Sequence, residues 1–181
     1  MTGRRARGAA AATGLVAGLA ALTGCGLGPG SSGDSLEDVA AVREALVGRA
    51  SDELDVVGAD LAAEPAEAVV GDNGGSGVED RFVGTLQVRA LFDVEAPSSD
   101  ALEEIVRSAG YDGDASVQDG FYSADDGEGW RMSITYREWE SSGPRLAVVW
   151  DSPSVSLDAD TRVQAREAGL IEGEQALDEA S

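Results

Sequence analysis

A single cysteine, no histidine and no lysine leave this 181-residue chain little with which to do covalent chemistry. Without histidine, neither a Ser-His-Asp nor a Cys-His arrangement can form, and zinc sites built on His or Cys are excluded. Without lysine there is no phosphate-gripping residue for a Gly-rich loop. What remains is a pair of carboxylates of the glycosidase kind. With 34 Asp and Glu, some pairs fall near one another by chance. A carboxylate-based hydrolase acting on cell-wall polymers is therefore the enzymatic alternative to a non-enzymatic role, and no particular pair carries it. Calcium finds no better home. Asp112-Gly113-Asp114-Ala115-Ser116 opens like an EF-hand loop, but Val117 and Ser123 stand where that loop needs Gly and Glu. Asp125-Asp126-Gly127-Glu128 reads as a hairpin turn. The sequence thus predicts no metal and no cofactor.

Recognition is the chemistry the arginines could do. If the even positions of the alternating runs face a core, the odd ones point away: Thr85, Gln87, Arg89, Arg131, Ser133, Thr135, Arg137 and Arg145. Leu91 and Trp139 share that parity. Several arginines would then share one face with hydroxyls and an indole. Arg suits planar bidentate contacts, so Arg89, Arg131, Arg137 and Trp139 form a candidate face for an envelope protein or an anionic or glycan ligand. The competing reading is a solvated face whose arginines pair with nearby acids.

Cys25 stands in a defined context. Arg4, Arg5 and Arg7 make a positive start, no acid precedes Cys25, and Ala9 to Leu22 is an apolar stretch of 14 residues. A spanning helix needs about 20 apolar residues; this stretch has the length of a signal-peptide core. Ala6 and Arg7 follow Arg4-Arg5 where a twin-arginine signal wants other residues, so general secretion fits better. Leu22-Thr23-Gly24-Cys25 resembles the bacterial lipobox at all four positions. That resemblance implies cleavage before Cys25, a diacylglyceryl group on its sulfur and an acyl chain, such as palmitate, on its amine. Two or more chains give a stable anchor. The expected location is the outer face of the cytoplasmic membrane, with membrane lipid as the first partner. Lipidation also consumes the sole thiol, so no disulfide forms within the mature chain.

Removal of residues 1–24 leaves 157 residues and takes three arginines and no acids, which moves the net charge from −21 to −24. So acidic a body repels nucleic acid. Residues 25–35, rich in Gly and Ser, form a flexible tether with a typical reach on the order of 17 Å. Apolar residues recur by threes and fours at Leu36, Val39, Val42, Leu46, Ala50, Leu54, Val57 and Leu61, predicting a helix from an N-cap at Ser35 to about Ala63. Gly71 to Gly77 reads as a turn-rich loop. A strand over Phe82–Val94 follows, then a helix opened by Ser98-Ser99-Asp100 and stopped by Gly110. Three more strands come next, over about Ala115–Ser123, Trp130–Arg137 and Leu146–Trp150. A short helix spans Asp158–Ala168, and residues 172–181 read as an acidic disordered tail.

This order predicts one α+β domain over residues 36–171. It is an antiparallel sheet of about four strands with helices packed on one face, a two-layer sandwich, preceded by the cleaved signal and tether. In layout the chain resembles the small secreted lipoproteins of unknown function found in high-GC Gram-positive bacteria. That resemblance implies a membrane-anchored extracytoplasmic lipoprotein serving as a binding or interaction module.

Overall fold

A computed structural model of the chain describes residues 33–73, 81–118, 120–139 and 143–180, with the backbone alone at 137–139 and 143–144. The fold is α+β, an open antiparallel sheet of eight strands with four helices. Helix α1 spans Leu36–Leu61 and begins where its cap chemistry dictates. The Ser35 hydroxyl accepts the Asp38 N–H at 3.2 Å, and the Asp38 carboxylate accepts the Ser35 N–H at 2.9 Å. These reciprocal bonds satisfy two donors that a helix start leaves open. The helix ends at Ala62, in the left-handed region at φ 51°, ahead of Pro65. Its buried side chains are Val39, Leu46, Ala50 and Val57 of the predicted stripe, joined by Val47, while Leu36, Val42, Leu54 and Leu61 pack against the core half-buried.

The long strand β2, Arg81–Phe92, organises the sheet. On one side it pairs with β1, Glu67–Asn73. On the other it pairs first with β7, Val155–Asp158, and then with β6, Gly143–Asp151. Ser152 stitches the change of partner: its hydroxyl accepts the Leu86 N–H at 3.0 Å, and its own N–H donates to the Leu86 carbonyl at 2.9 Å. Beyond β6 lie β5, Arg131–Trp139, then β4, Phe121–Asp125, and β3, Ala115–Gln118; a two-residue strand, β8, Gln175–Ala176, flanks β1. Every pairing is antiparallel.

Even positions do face the core. Leu86, Val88, Ala90, Phe92, Met132, Ile134, Leu146 and Val148 are fully buried, and Trp150 nearly so. They form one cluster with the stripe of α1, with Leu102, Ile105 and Val106 of α2 (Ser99–Ser108) and with Ala165 of α3 (Ala159–Glu167). Replacing a residue such as Phe92 by Ala in a core of this kind costs about 3–5 kcal/mol.

Eight strands replace the expected four. The segment over Ala115–Ser123 is a hairpin, broken between Gln118 and Phe121, with Gly120 at φ +68°. Gly71-Asp72-Asn73, expected in a loop, ends β1 instead; seven cross-strand partners on β2 outweigh its weak strand propensity. Ser98 caps α2, its hydroxyl accepting the Ala101 N–H. The expected disordered tail is the largest correction. It carries β8 and a last helix, α4, Leu177–Ala180, with Leu177 buried as an apolar anchor. Its acids also have partners: Glu174 meets Arg89, and Glu172 meets both Arg162 and Arg166. At the other end, the expected tether is already folded at residue 34. Asp34 N–H donates to the Ser156 carbonyl, and the Asp34 carboxylate accepts the Ser156 N–H, each at 2.6 Å.

Candidate functional site

The odd positions of the sheet make the surface on which recognition was expected. The register sets out two rows across it. Arg89 of β2 lies beside Val149 of β6, then Ser133 of β5 and Ser123 of β4. One step along, Gln87 lies beside Asp151, then Arg131, then Asp125. The arginines are therefore scattered. Arg89 and Arg131 stand two strands and two residues apart, about 12 Å by strand geometry. Arg137 falls opposite Arg145 and Trp139 opposite Gly143 in the backbone register; their side chains lie outside the described residues.

Each described arginine of the face has an acid beside it. Arg89 Nη2 is 3.0 Å from Glu174 Oε1, while its buried Nε completes no hydrogen bond. Arg145 Nε is 3.0 Å from Asp93 Oδ1, at an angle that completes no hydrogen bond. Arg131 Nη2 is 3.7 Å from Asp125 Oδ2, an ion pair too long to be a hydrogen bond. Such exposed pairs contribute at most about 1 kcal/mol each. They compensate the charge without locking the guanidinium groups.

Chemistry converges at the end of the sheet where β2, β4, β5 and β6 meet. A hollow of about 530 Å³ is lined by Asn73, Thr85, Asp125, Arg131, Asp151 and Ser154, among others. Asp151 is the best-held group in it. Its Oδ1 accepts from the Thr85 hydroxyl at 3.3 Å. Burial pushes its carboxyl above the ordinary value, against the opposing pull of Thr85 and Arg131. Asp125 is fixed differently, its Oδ1 accepting the Gly127 N–H at 3.0 Å. A roomier hollow of about 640 Å³, at the C-terminal end of α1, is lined by Leu54, Pro65, alanines, Gly58 and two acids. Among the described residues its lining presents no side-chain donor, so the sheet-end hollow is the better candidate site.

A second polar centre lies on the helix side, and sequence reasoning missed it. Arg49 of α1 pairs with Glu53 one turn on, Nε to Oε1 at 2.9 Å, and with Asp126 beyond β4, Nη1 to Oδ2 at 2.6 Å. Its guanidinium also lies over the rings of Tyr111 and Trp130, 5.2 and 5.3 Å from their centroids. The Trp150 indole donates to Glu53 Oε2 at 2.7 Å. Tyr111 Oη is buried beside the same carboxylate and completes no hydrogen bond of good geometry. The signal available in sequence was the Arg49/Glu53 spacing of four. The long-range partners carry no local mark.

Asp112 to Asp114 lead into β3, and Gly113 donates its N–H to the Asp125 carbonyl. A Cβ on Gly113 would come within 2.6 Å of that oxygen, so the turn needs glycine. Among the described residues no group of three or more acids is arranged to hold a metal ion. Cys25 and the lipobox lie outside the described residues. Among those residues no helix is long and apolar enough to cross a membrane. Compared with family models, with curated proteins and with solved structures, the chain matches none.

Proposed function

We propose that this chain is a non-enzymatic binding module, held by a lipidated Cys25 on the outer face of the cytoplasmic membrane, with the odd-residue face of its sheet as the working surface. The observation that carries the reading is the asymmetry of the sheet. Its even side chains are sealed against the helices, while among its odd ones Arg131 is exposed and Gln87, Ser133 and Asp151 are half-buried. The lipobox supplies the anchor.

The hydrolase alternative rests on one observation: burial raises the Asp151 carboxyl, and Asp125 shares its hollow. Such a pair suits acid and base roles. Against it, Arg131 lies between the two in the register, where a reacting bond would have to sit. Two strand spacings of about 4.8 Å also set the aspartates near the upper end of the useful range.

One experiment tests anchor and face together. Cells expressing the full chain are fed a clickable fatty acid, with a photo-crosslinking residue placed at Ser133 on the odd-residue face or at Glu44 on the exposed side of α1. Label on the wild type and none on Cys25→Ser is expected, with crosslinked adducts from Ser133 and not from Glu44. Label retained on Cys25→Ser removes the anchor. Adducts from Glu44 alone remove the face.

A further inference from the structure

The row Asp125–Arg131–Asp151 alternates acceptor, donor and acceptor across three adjacent strands. Arg131 is the most exposed of the three, at 55%, and makes no hydrogen bond among the described residues. Its planar fork of N–H groups is therefore presented to the hollow, flanked by carboxylate oxygens and by the hydroxyls of Thr85 and Ser154. Charge narrows what can enter. The three charged groups sum to −1, on a body that carries −24 from Cys25 onward. A phosphate or carboxylate ligand would meet net repulsion. A simple cation would meet the Arg131 guanidinium between the two acids. A neutral ligand with vicinal hydroxyls meets neither obstacle: each hydroxyl both donates and accepts, so adjacent ones bridge an Asp and an Arg at once.

We propose that this hollow is a subsite for an uncharged polyhydroxylated ligand, a neutral glycan. The proposal rests on the binding-module reading and names its ligand class. It also removes the anionic partners that the arginine pattern alone left open. Among the described residues no aromatic ring lines the hollow, so with no stacking a single subsite should hold its sugar on the order of 1 mM. Repetition of the sugar along a polymer would supply avidity.

The test is a ¹⁵N-correlation titration of the mature chain carrying Cys25→Ser. The neutral probes are cellohexaose, mannohexaose and N-acetylchitohexaose; the charged ones are poly(glycerol phosphate) and spermine. At least one neutral oligosaccharide should shift the amides of Thr85, Asp125, Arg131 and Asp151, and neither charged probe should. Arg131→Ala should weaken that binding about tenfold or more, the worth of one charge-assisted hydrogen bond. Arg131→Lys, which keeps the charge and loses the fork, should weaken it similarly, and Asp151→Asn less. Unchanged thermal melts of the variants separate lost contact from lost fold. Failure of all three sugars to shift these amides overturns the proposal, as does equal response to poly(glycerol phosphate) or spermine. Crosslinks from Ser133 would then still stand, so the ligand class would fall without the binding surface.

Discussion

Glu53 shows how a single side chain can be held at a cost. It sits on the core side of α1, and burial pushes its carboxyl above the ordinary value of 4.5 while Tyr111, Arg49 and Trp150 pull the other way. A buried pair of this kind is weak evidence for stability, since desolvation competes with attraction. It does tie α1 to the sheet, because Arg49 reaches Asp126 in the β4–β5 turn while Glu53, on the same helix, accepts from the Trp150 indole of β6. The sign of its pH dependence follows from linkage. A raised carboxyl binds its proton more tightly folded than unfolded, so the stabilisation is complete below the ordinary value and is lost as pH rises through the folded one. Glu53→Gln keeps an acceptor for the Trp150 indole and removes the titration. Denaturant unfolding of both proteins from about pH 4 to about pH 7 should show the wild type losing ground to the variant as pH rises. A pH-independent difference between the two would mean Glu53 is not the group described.

At the scale of elements, what the sequence made legible and what it hid divide along physical lines. Helix α1 could be read because its cap and its stripe are local, written in Ser35, Asp38 and a spacing of three and four. The central strands could be read because alternation over Leu86–Phe92 and Met132–Ile134 is unbroken. Strands β1, β7 and β8 could not. Gly71-Asp72-Asn73 is turn-like by composition, Val155–Asp158 is too short to show a period, and Gln175–Ala176 exists only because β1 offers an edge. Strand β1 owes its form to pairing with the next strand, β7 and β8 to partners far along the chain. The site divides likewise: Arg131 could be picked out by parity, whereas the flanking of its guanidinium by Asp125 and Asp151 needed the register of β4 and β6. Helix α1 also carries a testable weakness. Gly48 lies mid-helix, exposed, and a Cβ there would touch nothing within 4 Å. Gly48→Ala should therefore stabilise the fold by about 0.5–1 kcal/mol, chiefly by restricting the unfolded chain. A loss of stability in chemical denaturation would show that the helix is not continuous there.

The whole molecule is governed by its charge. From Cys25 onward 34 acids face 10 arginines, so most carboxylates have no cation to themselves. The described ion pairs draw on this excess: Arg162 and Arg166 share Glu172, and Arg49 takes both Glu53 and Asp126. Two effects of salt then oppose each other. Screening weakens the surface pairs, each worth at most about 1 kcal/mol, and it relieves the mutual repulsion of the remaining acids. Among the described residues the pairs most open to salt are few: Arg89–Glu174, Arg107–Glu103, Arg131–Asp125, Arg145–Asp93 and Arg166–Glu172. Among the described residues the acids without a cation of their own are many and occur on every helix. Their repulsion acts over about 30 Å at 0.01 M ionic strength and about 3 Å at 1 M, so almost all of it is removed across that range. Relief should win. Thermal melts of the mature chain carrying Cys25→Ser, with sodium chloride raised between those limits, should show the midpoint climbing by about 3 °C or more, the shift expected for roughly 1 kcal/mol at this size. A midpoint that falls would mean the ion pairs, few as they are, carry more of the fold than the excess charge opposes.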